Sequence, residues 1–163
     1  ALASMGVEVD VIASKMGERV LLYECGATLE DLAASHIYAN DDLFADISSG
    51  STFVDAVAVA PCSMSTISAI ATGSAETLLT RVSAVALKEH RPLVVLAREM
   101  PFSTIALENL TKLSQAGACV MPASPGFYSR PTEIWELVSQ VVCRIMDQLG
   151  VHIENPQGWK GIK

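Results

Sequence analysis

Arg98 and Glu99 are the neighbouring residues in this chain that most clearly suggest chemistry. They follow an apolar run, Leu93–Ala97, and Pro101 comes shortly after them. Such a run is typical of a parallel strand buried on both faces, and open α/β sheets bind ligands at the carboxyl ends of their strands. An arginine beside a glutamate at this edge predicts an anionic ligand with an acid or base next to it. Glu99 is the main candidate for proton transfer.

Hydroxyl side chains follow two further strand-like runs. Ser14 comes directly after residues 7–13, and Ser63, Ser65 and Thr66 come shortly after residues 56–60. A helix N-terminus offers unpaired N–H donors and the positive end of a dipole, so each group could hold a phosphate. Ordinary N-capping, which favours serine and threonine at any helix start, is the competing interpretation.

Two cations lie on one face of a predicted helix over residues 76–90. Leu78, Arg81, Val85 and Lys88 follow a 3-4-3 spacing, which is typical of a buried stripe. Arg81 and Lys88 therefore share a face, roughly 10 Å apart along the axis. This arrangement predicts a shared anion such as a phosphate or pyrophosphate. The alternative is that both side chains reach water from the edge of the stripe.

The last predicted helix, residues 132–149, carries Arg144 at the flank of its apolar face, about 80° from the centre. That face comprises Ile134, Leu137, Val138, Val141, Val142, Ile145 and Leu149. A rim arginine that pairs with Asp147 or Glu136 is the alternative interpretation.

Tyr128 ends a Pro/Gly loop, Pro125-Gly126-Phe127-Tyr128, which follows a predicted strand. Such a loop restricts the side chain, and the phenol could donate a hydrogen bond to a phosphate. Packing of the ring in the core is equally compatible with the sequence.

The sequence shows no nucleophile–base pair, because Cys62 and Ser63 have no histidine near them in the expected arrangement. The four cysteines have no C-x-x-C spacing, which predicts buried, reduced thiols in a cytoplasmic protein. They are Cys25, Cys62, Cys119 and Cys143. The three histidines are scattered, so no metal site is expected.

Composition narrows the class of protein. The chain has 163 residues, of which 50% are hydrophobic, and a net charge of −7. The negative charge argues against nucleic-acid binding, which needs clustered Lys and Arg. No apolar run approaches the roughly 18 residues of a membrane span. The high hydrophobic content suggests a homo-oligomer interface.

Sequence patterns typical of strands and of helices alternate along the chain, which predicts an α/β fold. The expected architecture is a three-layer α/β/α Rossmann-like (flavodoxin-like) parallel sheet in a single domain. Strands are expected over residues 7–13, 56–60, 93–97 and 118–121. Helices are expected over residues 15–25, 63–73, 76–90, 104–116 and 132–149, with short helices near 29–34 and 41–47. Pro61 is expected to break the second strand. Residues 1–150 would form the domain and 151–163 a C-terminal tail.

Several segments together strongly resemble the flavin prenyltransferases of the UbiX type, in order and at the family's spacing from Val7 to Gly150. The segments are Ala60-Pro61-Cys62-Ser63-Met64-Ser65-Thr66, Arg81 with Ala86-Leu87-Lys88-Glu89, Arg98-Glu99-Met100-Pro101, Leu107-Glu108-Asn109 and Pro125-Gly126-Phe127-Tyr128.

The resemblance implies an enzyme that joins a dimethylallyl group from dimethylallyl phosphate to reduced FMN, closing a fourth ring across N5 and C6 without a metal. Prenylated FMN would then serve UbiD-type decarboxylases. The family's dodecamers, with active sites at subunit contacts, would account for the hydrophobic content.

The resemblance also assigns roles to individual residues. The implied FMN-binding residues are Ser14, Ser63, Met64, Ser65, Thr66 and Arg98. The prenyl phosphate would be held by Arg81, Lys88, Tyr128 and Arg144. Glu99 and Lys88 are the implied catalytic residues, with Glu99 assisting proton transfer as phosphate leaves.

Two departures from the family pattern keep alternatives open. The family's first strand and its glycine-rich loop would precede Ala1, and Ala106 stands where the family usually has histidine. One alternative is an FMN-dependent decarboxylase of the cysteine type, which would need a catalytic histidine. The other is a non-catalytic FMN-binding partner subunit of a decarboxylase.

Overall fold

Parallel strands alternate with helices over residues 1–153, 158 and 161, the part of the chain that this computed structural model describes. The strands are β1 (Asp10–Ile12), β2 (His36–Tyr38), β3 (Val57–Cys62), β4 (Leu93–Ala97) and β5 (Cys119–Pro122). The helices are α1 (Lys15–Cys25), α2 (Met64–Ala71), α3 (Leu78–Lys88), α4 (Thr104–Gln115) and α5 (Ile134–Gln148). Short 3-10 segments lie at Ala3–Met5, Leu29–Asp31 and Asp46–Ser48.

All the strand pairings are parallel, which confirms the predicted α/β class. Strands β3, β4 and β5 form one sheet in that order, and β1 pairs with β2 in a second sheet. Strand β4 is central in the larger sheet, and all five of its residues are buried. Its burial explains why the run Leu93–Ala97 is apolar without alternation.

Strand β3 continues through Pro61 to Cys62, so the prediction that Pro61 ends the strand is wrong. The pairing with β4 shifts register between Val59 and Cys62. Proline cannot donate to a ladder, and an irregularity on a strand with only one described neighbour accommodates it.

The main core lies between the three-stranded sheet and helices α2, α3 and α4. Its buried members include Ile67, Ala86, Val95 and Leu113. Helix α1 and strands β1 and β2 bury no residue, and Cys25 at the end of α1 is exposed. The predicted burial is therefore wrong for Cys25 and only partly met by Cys119, which is half-buried, whereas Cys62 and Cys143 are buried as expected.

Helix α5 buries a different face from the apolar face that the sequence predicts. It buries Gln140, Cys143 and Met146, whereas Ile134 is 80% and Val138 43% exposed. The side-chain oxygen of Gln140 accepts the backbone N–H of Gly126, which explains how a polar residue occupies the buried side.

Over the described residues, no helix has the length and apolar character needed to cross a bilayer. The predicted tail, residues 151–163, falls in part on residues 154–157, 159–160 and 162–163, which lie outside the described residues. The domain boundary at residue 150 stays a prediction.

Candidate active site

Arg98 and Glu99 lie at the carboxyl edge of the three-stranded sheet, directly after β4. Both side chains are exposed. The Glu99 carboxylate accepts the backbone N–H of Met100 at 3.1 Å, which leaves further lone pairs for a ligand or a proton. The strand thus delivers a cation and a proton-transfer group to the edge where α/β sheets bind ligands.

Ser63 lies at the same edge, after β3, and caps α2. Its Oγ accepts the backbone N–H of Thr66 at 3.3 Å and lies 3.1 Å from the Thr66 Oγ1. The N-capping interpretation is therefore confirmed for this serine. Capping by Ser63 still leaves donors for a ligand, because the other first-turn N–H groups of a helix lack intrahelical partners. Ser65 is exposed beside them, while Met64 packs against the core.

Ser14 repeats this arrangement at the carboxyl edge of the two-stranded sheet. It follows β1 and caps α1, and its Oγ accepts the backbone N–H of Gly17 at 3.0 Å. Helix α1 extends over Lys15–Cys25, the range that the sequence predicts. Both hydroxyl groups thus stand at helix N-termini, where a phosphate is favoured by the helix dipole.

Tyr128 belongs to a loop that α5 holds in place. The hydrogen bond from Gly126 to Gln140 fixes the loop beside the middle of that helix. A β-carbon at Gly126 would lie 2.6 Å from the Tyr128 ring, so only glycine permits this close approach. Tyr128 is 51% exposed and is not a core residue.

Arg144 lies one helical turn beyond Gln140, so the loop and the arginine belong to one region of the surface. The Arg144 Nη1 donates to the Asp147 Oδ2 at 2.9 Å. The rim pairing considered from the sequence is therefore present in this structure. The pair is partly exposed, and a bound anion could replace the carboxylate as the partner of the guanidinium.

Helix α3 buries Leu78 and Val85, while Arg81 and Lys88 are exposed. The predicted stripe is thus buried only at its apolar positions. Lys88 ends α3 shortly before β4 begins, whereas Glu99 follows the end of β4. The five residues of β4 place the two groups at opposite edges of the sheet, about 16 Å apart at 3.3 Å per residue. One copy of the described chain does not bring Lys88 and Glu99 together.

Cys62 is 1% exposed, and burial raises the pKa of its thiol to about 12. The thiol is therefore protonated at neutral pH and is a poor nucleophile. Among the described residues, no group of three or more His, Cys, Asp or Glu side chains is arranged to hold a metal ion.

Three residues around the candidate groups were not identified from the sequence. Gln140 holds the Tyr128 loop, and Gly50 and Arg91 lie beside the end of α3. Gln140 could have been found from the sequence, because a glutamine among the apolar residues of a helix predicts a buried hydrogen bond. The other two act through contacts between distant parts of the chain, for which no local pattern exists.

Known proteins resemble this chain over most of its length. The family model described as Flavoprotein matches residues 1–146. The flavin prenyltransferase UbiX of Thermoplasma acidophilum is 46% identical over 156 residues, which cover 94% of this chain and 87% of that protein.

Two solved structures share the fold over almost the whole chain. AnUbiX (PadA1), in complex with FMN and dimethylallyl pyrophosphate, has a TM-score of 0.94 and 34% identity, covering 99% of this chain and 87% of that one. The dodecameric FMN-dependent Ubix-like decarboxylase from Escherichia coli O157:H7 has a TM-score of 0.92 and 38% identity, covering 95% and 85%. The chain belongs to the flavoprotein family and, within it, to the flavin prenyltransferases of the UbiX type.

Proposed function

We propose that this protein is a prenyltransferase that joins a dimethylallyl group from dimethylallyl phosphate to reduced FMN. The observation that carries the proposal is the likeness, at a TM-score of 0.94, to a relative that holds FMN and dimethylallyl pyrophosphate. The edge of the sheet at the carboxyl ends of the strands supplies groups suited to those ligands. Hydroxyls and helix N–H groups suit a flavin phosphate, and Arg98 and Glu99 lie beside them.

The FMN half of the site is proposed to lie at the carboxyl edge of both sheets. Ser14, the segment Ser63–Thr66 and Arg98 would hold the flavin there. Glu99, next to Arg98, would accept or donate the proton that moves as the new bonds form.

The donor half is proposed to consist of Arg81, Lys88, Tyr128 and Arg144. Breaking the bond between the allylic carbon and oxygen leaves both bonding electrons on the departing phosphate. Cations and a phenol placed around that phosphate stabilise the charge as it develops. Prenyl transfer of this kind needs no deprotonated thiol, in agreement with the raised pKa of Cys62.

Lys88 is proposed to join the rest of the site at a contact between copies of the chain. Lys88 and Glu99 occupy opposite edges of one sheet, so a Lys88 that acts with Glu99 would come from a neighbouring copy. Large apolar side chains near the candidate residues support such a contact. They are Met100 at 92%, Phe127 at 70%, Ile134 at 80% and Trp135 at 71% exposure. One of the similar structures is a dodecamer, and we propose the same assembly here.

The recipient of the product is proposed from the family resemblance alone. Prenylated FMN would pass to a decarboxylase of the UbiD type, and the protein would act in the cytoplasm. Co-purification of prenylated FMN with a co-expressed UbiD-type protein would test this step.

Mass spectrometry of the flavin tests the proposed reaction. The protein is incubated anaerobically with reduced FMN and dimethylallyl phosphate, and in a parallel sample with the pyrophosphate. We expect the flavin to gain one prenyl unit with the phosphate donor. Unmodified FMN in both samples, with FMN binding verified and an active relative working alongside, would contradict the proposal and leave an FMN carrier or a decarboxylase.

A further inference from the structure

Lys88 is held in an ion pair at the end of α3. Its ammonium group donates a hydrogen bond to the carboxylate of the adjacent Glu89. This bond lowers the pKa of Glu89, so the carboxylate is charged and retains the pair at neutral pH. Both side chains are more than a third exposed, so the pair by itself restrains Lys88 only weakly.

Gly50 lies beside this ion pair, with no room for a side chain between them. A β-carbon at Gly50 would lie 2.8 Å from the Lys88 Nζ and would also collide with the Glu89 carboxylate. Real β-carbons do not approach other atoms more closely than 3.0 Å, so a side chain at position 50 would displace the ends of Lys88 and Glu89. The segment around Gly50 therefore lies against one side of the Lys88 ammonium, whose side chain is otherwise 61% exposed.

Arg91 holds that segment in place. Its Nη1 donates to the carbonyl oxygen of Thr52 at 2.9 Å, and its Nη2 donates to that of Gly50 at 2.8 Å. The guanidinium carbon also lies 5.5 Å from the centre of the Phe53 ring. Only a planar, forked cation can make both hydrogen bonds and stack on the ring, so lysine is a poor substitute.

The end of α3 fixes Arg91 itself. Its backbone N–H donates to the carbonyl oxygen of Ala86 at 2.9 Å, after His90 adopts the left-handed conformation with φ of 54°. This closure turns the chain back over the last helical turn. Arg91 and Lys88 are therefore attached to one helix end, and the Gly50 segment bridges them.

We propose that Arg91 is a positioning residue for Lys88. It touches neither the reacting atoms nor, by this account, the donor, and it acts by holding Gly50 against the Lys88–Glu89 pair. The inference rests on the proposed function, in which Lys88 binds the phosphate of the donor. Without Arg91 the segment would move away and Lys88 would sample more positions, which weakens donor binding but not FMN binding.

The test measures the Kd of dimethylallyl phosphate by calorimetry on the protein loaded with oxidised FMN, which cannot react. We expect Arg91→Met to weaken donor binding about tenfold, the loss of one well-placed charge-assisted hydrogen bond. Arg91→Lys should restore part of the affinity. Gly50→Ala should also weaken donor binding, because its methyl group displaces only the flexible ends of Lys88 and Glu89. The exposed Lys112→Met serves as the charge-matched control and should change nothing.

A double-mutant cycle separates positioning from a merely structural role. If Arg91 acts through Lys88, then Arg91→Met should have no further effect on donor binding in a Lys88→Met background. An equal loss in both backgrounds, or an equal loss of FMN and donor affinity, would overturn the inference. Donor binding that responds as expected without any prenylated product from reduced FMN would instead refute the proposed function and leave the inference standing. A wild-type protein that does not bind the donor would refute both.

Discussion

Lys88 precedes the amino end of β4 and Glu99 follows its carboxyl end, so one buried strand separates the two residues. Neither can reach the other within the copy described, since the strand alone spans about 16 Å. Both nevertheless are the groups that prenyl transfer would need: a cation for the departing phosphate and a carboxyl group for the proton. The separation makes the subunit contact part of the proposed chemistry.

Removing the proposed proton-transfer group should stop catalysis without affecting FMN binding. We expect Glu99→Gln to lower the rate of prenyl transfer by about 10²- to 10⁴-fold, the usual contribution of a positioned acid or base. Single-turnover formation of prenylated FMN measures the rate, and flavin fluorescence measures the affinity. Glu108→Gln, on an exposed position of α4, is the matched control. A Glu99→Gln variant with the wild-type rate would remove Glu99 from the mechanism.

The hydrogen bond that Gln140 accepts should matter for both stability and donor binding. Gln140→Leu leaves the partly buried Gly126 N–H without this acceptor, which should cost about 1 kcal/mol of unfolding free energy, the low end of the range for an unsatisfied donor. The loosened loop should also raise the KM for the donor, because it carries Tyr128. Urea unfolding and steady-state kinetics report the two effects, and the exposed Gln115→Leu is the control. An unchanged KM would show that the loop does not position a donor-binding group.

Cys62 should be dispensable for the reaction even though it lies within the family motif. Burial raises the pKa of its thiol to about 12, so almost no thiolate is present at neutral pH. We expect Cys62→Ala to retain prenyl transfer within about threefold, and iodoacetamide to label the exposed Cys25 before Cys62. Loss of activity in a folded Cys62→Ala variant would argue for a covalent role.

The His36–Asp10 pair between β1 and β2 should make stability depend on pH. The His36 Nδ1 lies 2.9 Å from the Asp10 Oδ1, and this hydrogen bond raises the pKa of His36 above its usual 6.5. A raised folded-state pKa contributes stability that is complete below pH 6.5 and is lost as the pH rises through the folded value. We expect the Tm of wild type to exceed that of His36→Gln at about pH 5.5 and to match it at about pH 8.5. A constant Tm difference across this range would rule out the pair as the cause.

The sequence predicts the elements whose signals are local and strong. Helix α1 and strand β4 have the predicted bounds, because a serine N-cap and a C-cap glycine delimit the first and the second is an uninterrupted apolar run. The sequence does not predict strand β2, because its three residues, His36–Tyr38, are too few to show a period. The short helix expected near residues 41–47 is a 3-10 segment at Asp46–Ser48.

The residues of the candidate site likewise differ in whether a local sequence pattern predicts their position. Residues that follow strands, such as Arg98 and Ser63, could be placed at the carboxyl edge from the alternation of strands and helices alone. The face that α5 buries could not be predicted in this way, because it depends on the hydrogen bond between Gln140 and a loop. The proximity of Gly50 to Lys88 likewise joins segments that are far apart in the sequence, as do the hydrogen bonds of Arg91 to the Gly50 segment.

The most direct test of the account is complementation between two inactive variants. Lys88→Ala and Glu99→Gln proteins are dissociated, mixed in equal amounts and reassembled, and prenylated FMN is then measured by mass spectrometry. If each site takes Lys88 from one copy and Glu99 from another, random mixing should restore about one quarter of the wild-type sites. Activity no higher than that of the separate variants, with mixed oligomers demonstrated by native mass spectrometry, would contradict a site shared between copies.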